Sequence, residues 1–192
     1  MKKLAVKRLP NGSRIVVFPG NEFTPEHFHP DNLKTVKNIR ERVTIIEVKK
    51  QPFGIVRRQL LLMAKTRARD NRQLTRLTPL SEARLARFVM GLNMPNVVVE
   101  EPVAAHLHKN GDHVIFYRKI RFPYGKRKVE LYFNRKPGEV DDIYRTLRAN
   151  GIEPVDFQSS PITRSRLGIY DLETWRTTPE LRKKLKLKYQ KI

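Results

Sequence analysis

The chain has 192 residues with 40 Lys+Arg against 19 Asp+Glu, a formal charge of +21, and no cysteine. A 39% hydrophobic content is enough to build a core, so a generic disordered chain is excluded. The missing thiols exclude disulfides, cysteine-held zinc and cysteine nucleophiles. A compact body with this charge repels itself, which points to a polyanionic partner, nucleic acid ahead of an anionic membrane surface.

The opening KLAVKRLPNGSRIVVF reads as a hairpin in which Asn11-Gly12 supply the positive φ angles of a tight turn. Its basic start lacks the apolar run of a secretory signal. No stretch approaches eighteen apolar residues, so an intracellular, cytoplasmic protein with no membrane span is expected. NEFTPEHFHPDNL breaks regularity with two prolines and carries an H-x-H pair, His27 and His29. The pair reads as a short helix start, on which residues two apart do not share a face. VTIIEVKK (43–50) reads as a strand.

From Phe53 to Leu77 the pattern of Ile55, Val56, Leu60, Met63 and Ala64 predicts the longest helix. Arg58, Lys65, Arg69, Arg72 and Arg76 form a basic stripe opposite its apolar face. Asp70 is the only acid between Val48 and Glu82, and a stripe without i,i+4 partners favours phosphate binding. TPLSEARLARFVMG reads as a second helix, with Thr78 as N-cap, Pro79 in the first turn and Gly91 near the stop. NVVVEE (96–101) is a short strand.

The most informative stretch is 106–134. An Asn110-Gly111 two-residue turn would set His108 opposite His113, Leu107 opposite Val114 and His106 opposite Ile115. A second turn at Tyr124-Gly125 would set Tyr117 opposite Tyr132. This register puts Ala105, Leu107, Val114, Phe116 and other apolar residues on a core face that only Arg118 interrupts. The other face carries His106, His108, His113, Tyr117, Lys119, Arg121, Lys128 and Tyr132. Exposed rings among cations suit single-stranded RNA, the rings stacking bases and the cations holding phosphates. Three histidines on one face also raise zinc ligation and metal-independent RNA cleavage. Carboxylate ligands are scarce, however, and Lys119, Arg121 and Lys128 favour neutral imidazole, which suits a base better than an acid.

PGEVDDIYRTLRANG is a helix whose stripe is Val140, Ile143, Tyr144 and Leu147, with acids first, arginines last and Gly151 as cap. EPVDFQ reads as a strand. From Ser159 the chain turns irregular and ends in TTPELRKKLKLKYQKI, a basic helix or tail capped by Thr178 and Pro179. Its apolar residues offer a docking surface to a partner protein.

The expectation is an α+β fold: an antiparallel sheet built from hairpins and packed against two or three helices. One nucleic-acid-binding domain covers 1–158, and an irregular basic extension covers 159–192. No P-loop, dinucleotide-binding, zincin, nucleophile-elbow or zinc-finger spacing occurs, so neither cofactor nor metal is expected. The functional expectation is non-enzymatic binding of nucleic acid, RNA ahead of DNA and single-stranded RNA favoured. The residues involved are Tyr117, Lys119, Arg121, Lys128, Tyr132, His108, His113, Arg58, Lys65, Arg69, Arg72 and Arg76. The alternatives are a structural component of a ribonucleoprotein or virion, and a metal-independent ribonuclease using the histidines.

Overall fold

The structure, a computed structural model, describes residues 4–40, 43–49, 61–67, 75–92, 94–110, 112–118, 137–155, 157–161, 167–170 and 172–191. Among them the strands run β1 (Ala5–Arg8), β2 (Arg14–Val17), β3 (Leu33–Arg40), β4 (Val43–Val48), β5 (Leu61–Arg67) and β6 (Thr75–Leu77). Helix α1 (Pro79–Met90) leads to β7 (Val97–Val99), β8 (Pro102–Leu107), β9 (His113–Arg118) and α2 (Pro137–Ala149). Then come β10 (Ile152–Glu153), β11 (Gln158–Pro161), β12 (Leu167–Tyr170), β13 (Arg176–Thr177), α3 (Pro179–Leu185) and β14 (Tyr189–Lys191). The fold is α+β, and none of its described helices is long and apolar enough to cross a membrane.

Where one domain over 1–158 and an extension were expected, the chain divides into two interleaved compact units. Residues 1–72 and 101–119 form the first; residues 73–100 and 120–192 form the second.

The first unit is a seven-stranded antiparallel sheet of order β1-β2-β8-β9-β5-β4-β3. Its two Asn-Gly hairpins turn differently from the sequence expectation, and for a common reason. Leu9 donates its N–H to Ser13 O at 2.9 Å and His108 donates to Asp112 O at 3.0 Å, so each loop holds three residues rather than two. In both, the asparagine side chain accepts the N–H two residues on: Ser13 N to Asn11 Oδ1 and Asp112 N to Asn110 Oδ1, each 3.0 Å. Asparagine thus acts as a side-chain mimic of a backbone turn, and only Gly12 of its pair takes positive φ, +76°. The extra loop residue moves the register by one. Leu107 faces His113, His106 faces Val114 and Ala105 faces Ile115. Every side chain beyond the turn therefore changes its neighbours.

One face of this sheet is the core. Ile15, Val17, Ile46, Leu62, Ala64, Ala104 and Phe116 are buried there with Phe23 and Phe28, which come from the segment joining β2 to β3. The ring centroids of Phe28 and Phe116 lie 4.9 Å apart. That segment is tied down by Asn21, whose Nδ2 donates to Phe18 O and Val103 O. Arg118 reaches both Glu22 and Glu101 at 3.1 Å, so the one cation expected to interrupt an apolar face is neutralised by two carboxylates.

The long helix expected over 53–77 is replaced, in its described part, by strands β5 and β6. Buried Leu62 and Ala64 alternate with half-buried Met63 and Lys65, a period of two. β5 is hydrogen-bonded on both sides, to β4 and β9, and sheet pairing overrides a local helical pattern.

The second unit packs α1, α2 and α3 with three small sheets around Leu85, Val89, Ile143, Leu147, Ile169 and Trp175. Thr78 and Thr178 cap α1 and α3 as the sequence requires, each accepting the N–H three residues on. The stretch expected to be irregular belongs to this core. Leu181 and Leu187 are buried, β14 pairs with β6, and Ser81 Oγ of α1 accepts Lys188 N–H at 2.7 Å. Gly151 ends α2 at φ +77°, and its carbonyl accepts the N–H of Thr178. A Cβ there would press on the branched Thr178 side chain.

Two glycine substitutions are expected to destabilise. Gly12→Ala costs about 1–2 kcal/mol for left-handed φ, while the Lys109 atoms near it can swing away. Gly151→Ala costs more, about 2–3 kcal/mol, because Thr178 cannot yield without loosening the cap. Gly138→Ala, in open space in the first turn of α2, should be neutral or stabilising by up to about 1 kcal/mol. Urea unfolding curves of the three variants rank them, and equal midpoints for Gly12→Ala and Gly138→Ala would contradict the loop geometry.

Candidate nucleic-acid interface

The face of the first sheet opposite the core follows from the register. Reading across from β1 to β5, Arg8 faces Arg14, Arg14 faces Leu107, Leu107 faces His113, and His113 faces Arg67. The neighbouring rows of the same face hold Val6, Val16, Ala105, Ile115 and Lys65, then Tyr117, Met63, Ile45 and Lys37. The centre of this face is closed: Val16, Ile45, Ala105, Ile115 and Tyr117 are all buried, Tyr117 completely. Its margins are open and cationic. Arg8 and Arg14 are exposed at the β1–β2 edge, and Lys34 and Lys37 at the β3 edge. Arg8 and Arg14 stand directly opposite each other, a like-charge pair that destabilises an isolated hairpin and that a bound polyanion would relieve.

The expected binding residues separate accordingly. Lys65, His113 and Tyr117 do share this face, though with another geometry than a basic aromatic platform. Tyr117 has no exposed surface and cannot stack a base; its register sets it opposite Met63 on β5 and Pro102 on β8, at the closed centre of the face rather than at a free position in a hairpin. Lys65 Nζ lies 4.7 Å from the Tyr117 ring centroid, so the ring holds a cation in place instead of receiving a base. His108 does not face His113, because the three-residue loop places them on opposite sides. Arg76 lies in the second unit on β6, its side chain largely buried and 3.8 Å from Glu173, and the helix expected to carry it in one stripe with Lys65 is replaced by strands. Lys119, Arg121, Lys128, Tyr132, Arg58, Arg69 and Arg72 lie outside the described residues.

The histidines divide as well. His106 and His108 pair their rings at 4.3 Å on the core side, while His113 belongs to the opposite face. His106 Nε2 is 2.9 Å from Ser13 Oγ. Asn11 Oδ1 accepts both the Ser13 N–H and its hydroxyl, so the serine proton is committed and His106 must donate through Nε2–H. The pair is not poised for a serine nucleophile. Burial first, then the nearby His108 and His29, holds the His106 pKa below the ordinary 6.5. His27 is buried with Nδ1 accepting the Thr24 N–H at 2.9 Å, while His29 points to Asp31 at 3.2 Å, so the H-x-H pair does not converge. Among the described residues, no cluster of His, Asp and Glu could hold a metal ion.

The margin residues Arg8, Arg14, Lys34 and Lys37 were not singled out by sequence reasoning. Residues 33–40 carry neither a period of two nor one of 3.6, and the signal that was present is the three-residue recurrence of Lys34, Lys37 and Arg40.

Comparison with protein-family models, curated proteins and solved structures returns no match.

Two outcomes test this geometry. Tyr117→Ala should cost about 3–5 kcal/mol of stability, as for a core aromatic; a variant as stable as the parent would return Tyr117 to the surface. For His106 the folded state binds its proton less readily than the unfolded state. Stability is therefore fully present above about pH 6.5 and declines as pH falls through that value toward the lowered folded pKa. The urea midpoint should fall between pH 7.5 and about 5.5, and His106→Gln should flatten that limb; a flat limb in the parent protein would refute the assignment.

Proposed function

We propose that the protein binds nucleic acid without chemistry, holding it by its phosphates, with single-stranded RNA the favoured form. The observation that carries this reading is the imbalance of charge combined with how the acids are used. Arg118 takes Glu22 and Glu101, Lys7 takes Glu26, Arg145 takes Asp142, Arg148 takes Glu153, and Arg76 takes Glu173. Glu82 and Glu100 are buried. With so many carboxylates spent locally, the +21 excess is left at exposed cations such as Arg8, Arg14, Lys34 and Lys37.

The form of the ligand is argued from the layout of the face. Seven strands at about 4.8 Å spacing put the two cationic margins about 29 Å apart along the sheet, with a closed centre between them. A flexible single strand can bend from one margin to the other. Duplex DNA, with a persistence length of about 150 bp, resists bending on that scale.

Cleavage is less well supported. The three histidines that would share proton transfer are split between two faces, and His106 is committed to Ser13. An assembly role drew its support from an irregular tail, whereas the described tail residues are integrated into the second core.

Binding of a fluorescent oligouridine should weaken linearly with log salt, by about 0.7 in log K per phosphate contacted. The purified protein should also carry RNA, seen as a raised 260/280 absorbance ratio that ribonuclease removes. Affinity that is indifferent to salt would discard the reading.

A further inference from the structure

β3 reads Leu33-Lys34-Thr35-Val36-Lys37-Asn38-Ile39-Arg40. In a regular strand Lys34 and Lys37, three apart, lie on opposite faces. Here the pairing steps from Thr35–Ile46 to Lys37–Ile45, leaving Val36 as an extra residue, and from Asn38–Thr44 to Arg40–Val43, leaving Ile39. Each extra residue restores the parity that a three-residue period loses. Lys34, Lys37 and Arg40 thus stand opposite Glu47, Ile45 and Val43, which alternate along β4 on one face. Two bulges convert a period of three into a row with a step of about 6.8 Å, two residues of the partner strand.

Among the described residues this row lies on the last strand of the sheet, and it continues the cationic face that carries Lys65. Lys34 and Lys37 are exposed, and among the described residues neither makes an ion pair or side-chain hydrogen bond. The two bulge residues, Val36 and Ile39, are each half exposed. Edge strands are commonly guarded against pairing by lysines and bulges. Guarding requires neither that the lysines share a face nor that both bulges present an aliphatic side chain to water.

We propose that the β3 edge is a docking row for the backbone of a single-stranded nucleic acid. Phosphates sit on Lys34 and Lys37, and unstacked bases lie against Val36 and Ile39. The step of the row is on the scale of one nucleotide of an extended strand. A duplex, whose base faces are hidden, gains nothing from the two aliphatic side chains. A peptide strand added to the edge would meet two interruptions of its hydrogen-bond ladder, so the side chains rather than the backbone are the recognising groups. The inference rests on the nucleic-acid reading above and locates it.

The test compares the parent protein, a Lys34→Gln/Lys37→Gln variant and a Lys183→Gln/Lys188→Gln variant that loses the same charge in the other unit. Each is titrated by fluorescence anisotropy with an oligouridine over a salt series, and with an RNA duplex of equal length. The expected result is a salt slope shallower by about 1.4 in the β3 variant, two contacts at about 0.7 each, and a nearly parental slope in the other. The parent should also bind oligouridine more tightly than duplex. Failure of the parent to bind either RNA at low salt would sink the nucleic-acid reading itself. A parent that binds, with the β3 variant unchanged or both variants losing equally, would overturn the docking row and leave that reading standing. Equal affinity for duplex would overturn the single-strand assignment.

Discussion

Two side-chain hydrogen bonds, Asn11 Oδ1 to the Ser13 N–H and Asn110 Oδ1 to the Asp112 N–H, set the geometry of the first unit. Each closes its turn through the asparagine side chain and makes the loop one residue longer than the tightest alternative. Strand pairing has no freedom to absorb that residue, because side chains alternate with a period of two. The loops therefore decide which residues meet the core and which meet the opposite face. They lie side by side: Arg14 pairs with Leu107, and the Lys109 side chain passes over Gly12.

The chemistry of the unit follows from that register. With Phe116 turned to the core, Tyr117 goes to the opposite face at the centre of the sheet, where it is completely buried. Its ring then serves Lys65 in a cation–π contact. The same parity separates His113 from His106 and His108, so His113, seven and five residues beyond them, does not share their site. Charge is driven to the sheet margins, since burying an unpaired cation costs several kcal/mol, and Arg118 is tolerated near the core only between two carboxylates.

The second unit depends on helix ends. Thr178 caps α3 with its side chain while its N–H bonds the Gly151 carbonyl just past the end of α2, so one residue joins the stop of one helix to the start of the next. Ser81 plays a similar double role, packing in the first turn of α1 and receiving the Lys188 N–H. These contacts draw the basic C-terminal stretch into a core built around Trp175, whose ring stacks on Phe157. The lysines of α3 remain in water while Leu181 is buried and Leu185 packs half-buried against the same core, an amphipathic division already visible in ELRKKLKL.

The sequence by itself determined what depends on near neighbours. Helix caps at Thr78 and Thr178, the stripe of α2 with Gly151 beyond it, a strand starting at Val43, the existence of both Asn-Gly hairpins and the α+β class were all legible, because propensity and hydrogen bonding act within a few residues. Tertiary structure decided everything that depends on a partner strand. Residues 61–67 look helical alone and become a strand because β4 and β9 offer hydrogen bonds on both edges. The loop length at Asn110 cannot be read from the Asn-Gly pair, since that pair closes two- and three-residue turns alike, and one residue reverses the composition of a face. The bulges of β3 were hidden for the same reason. A recurrence of three matches no regular element until β4 supplies the pairing that turns it into a row.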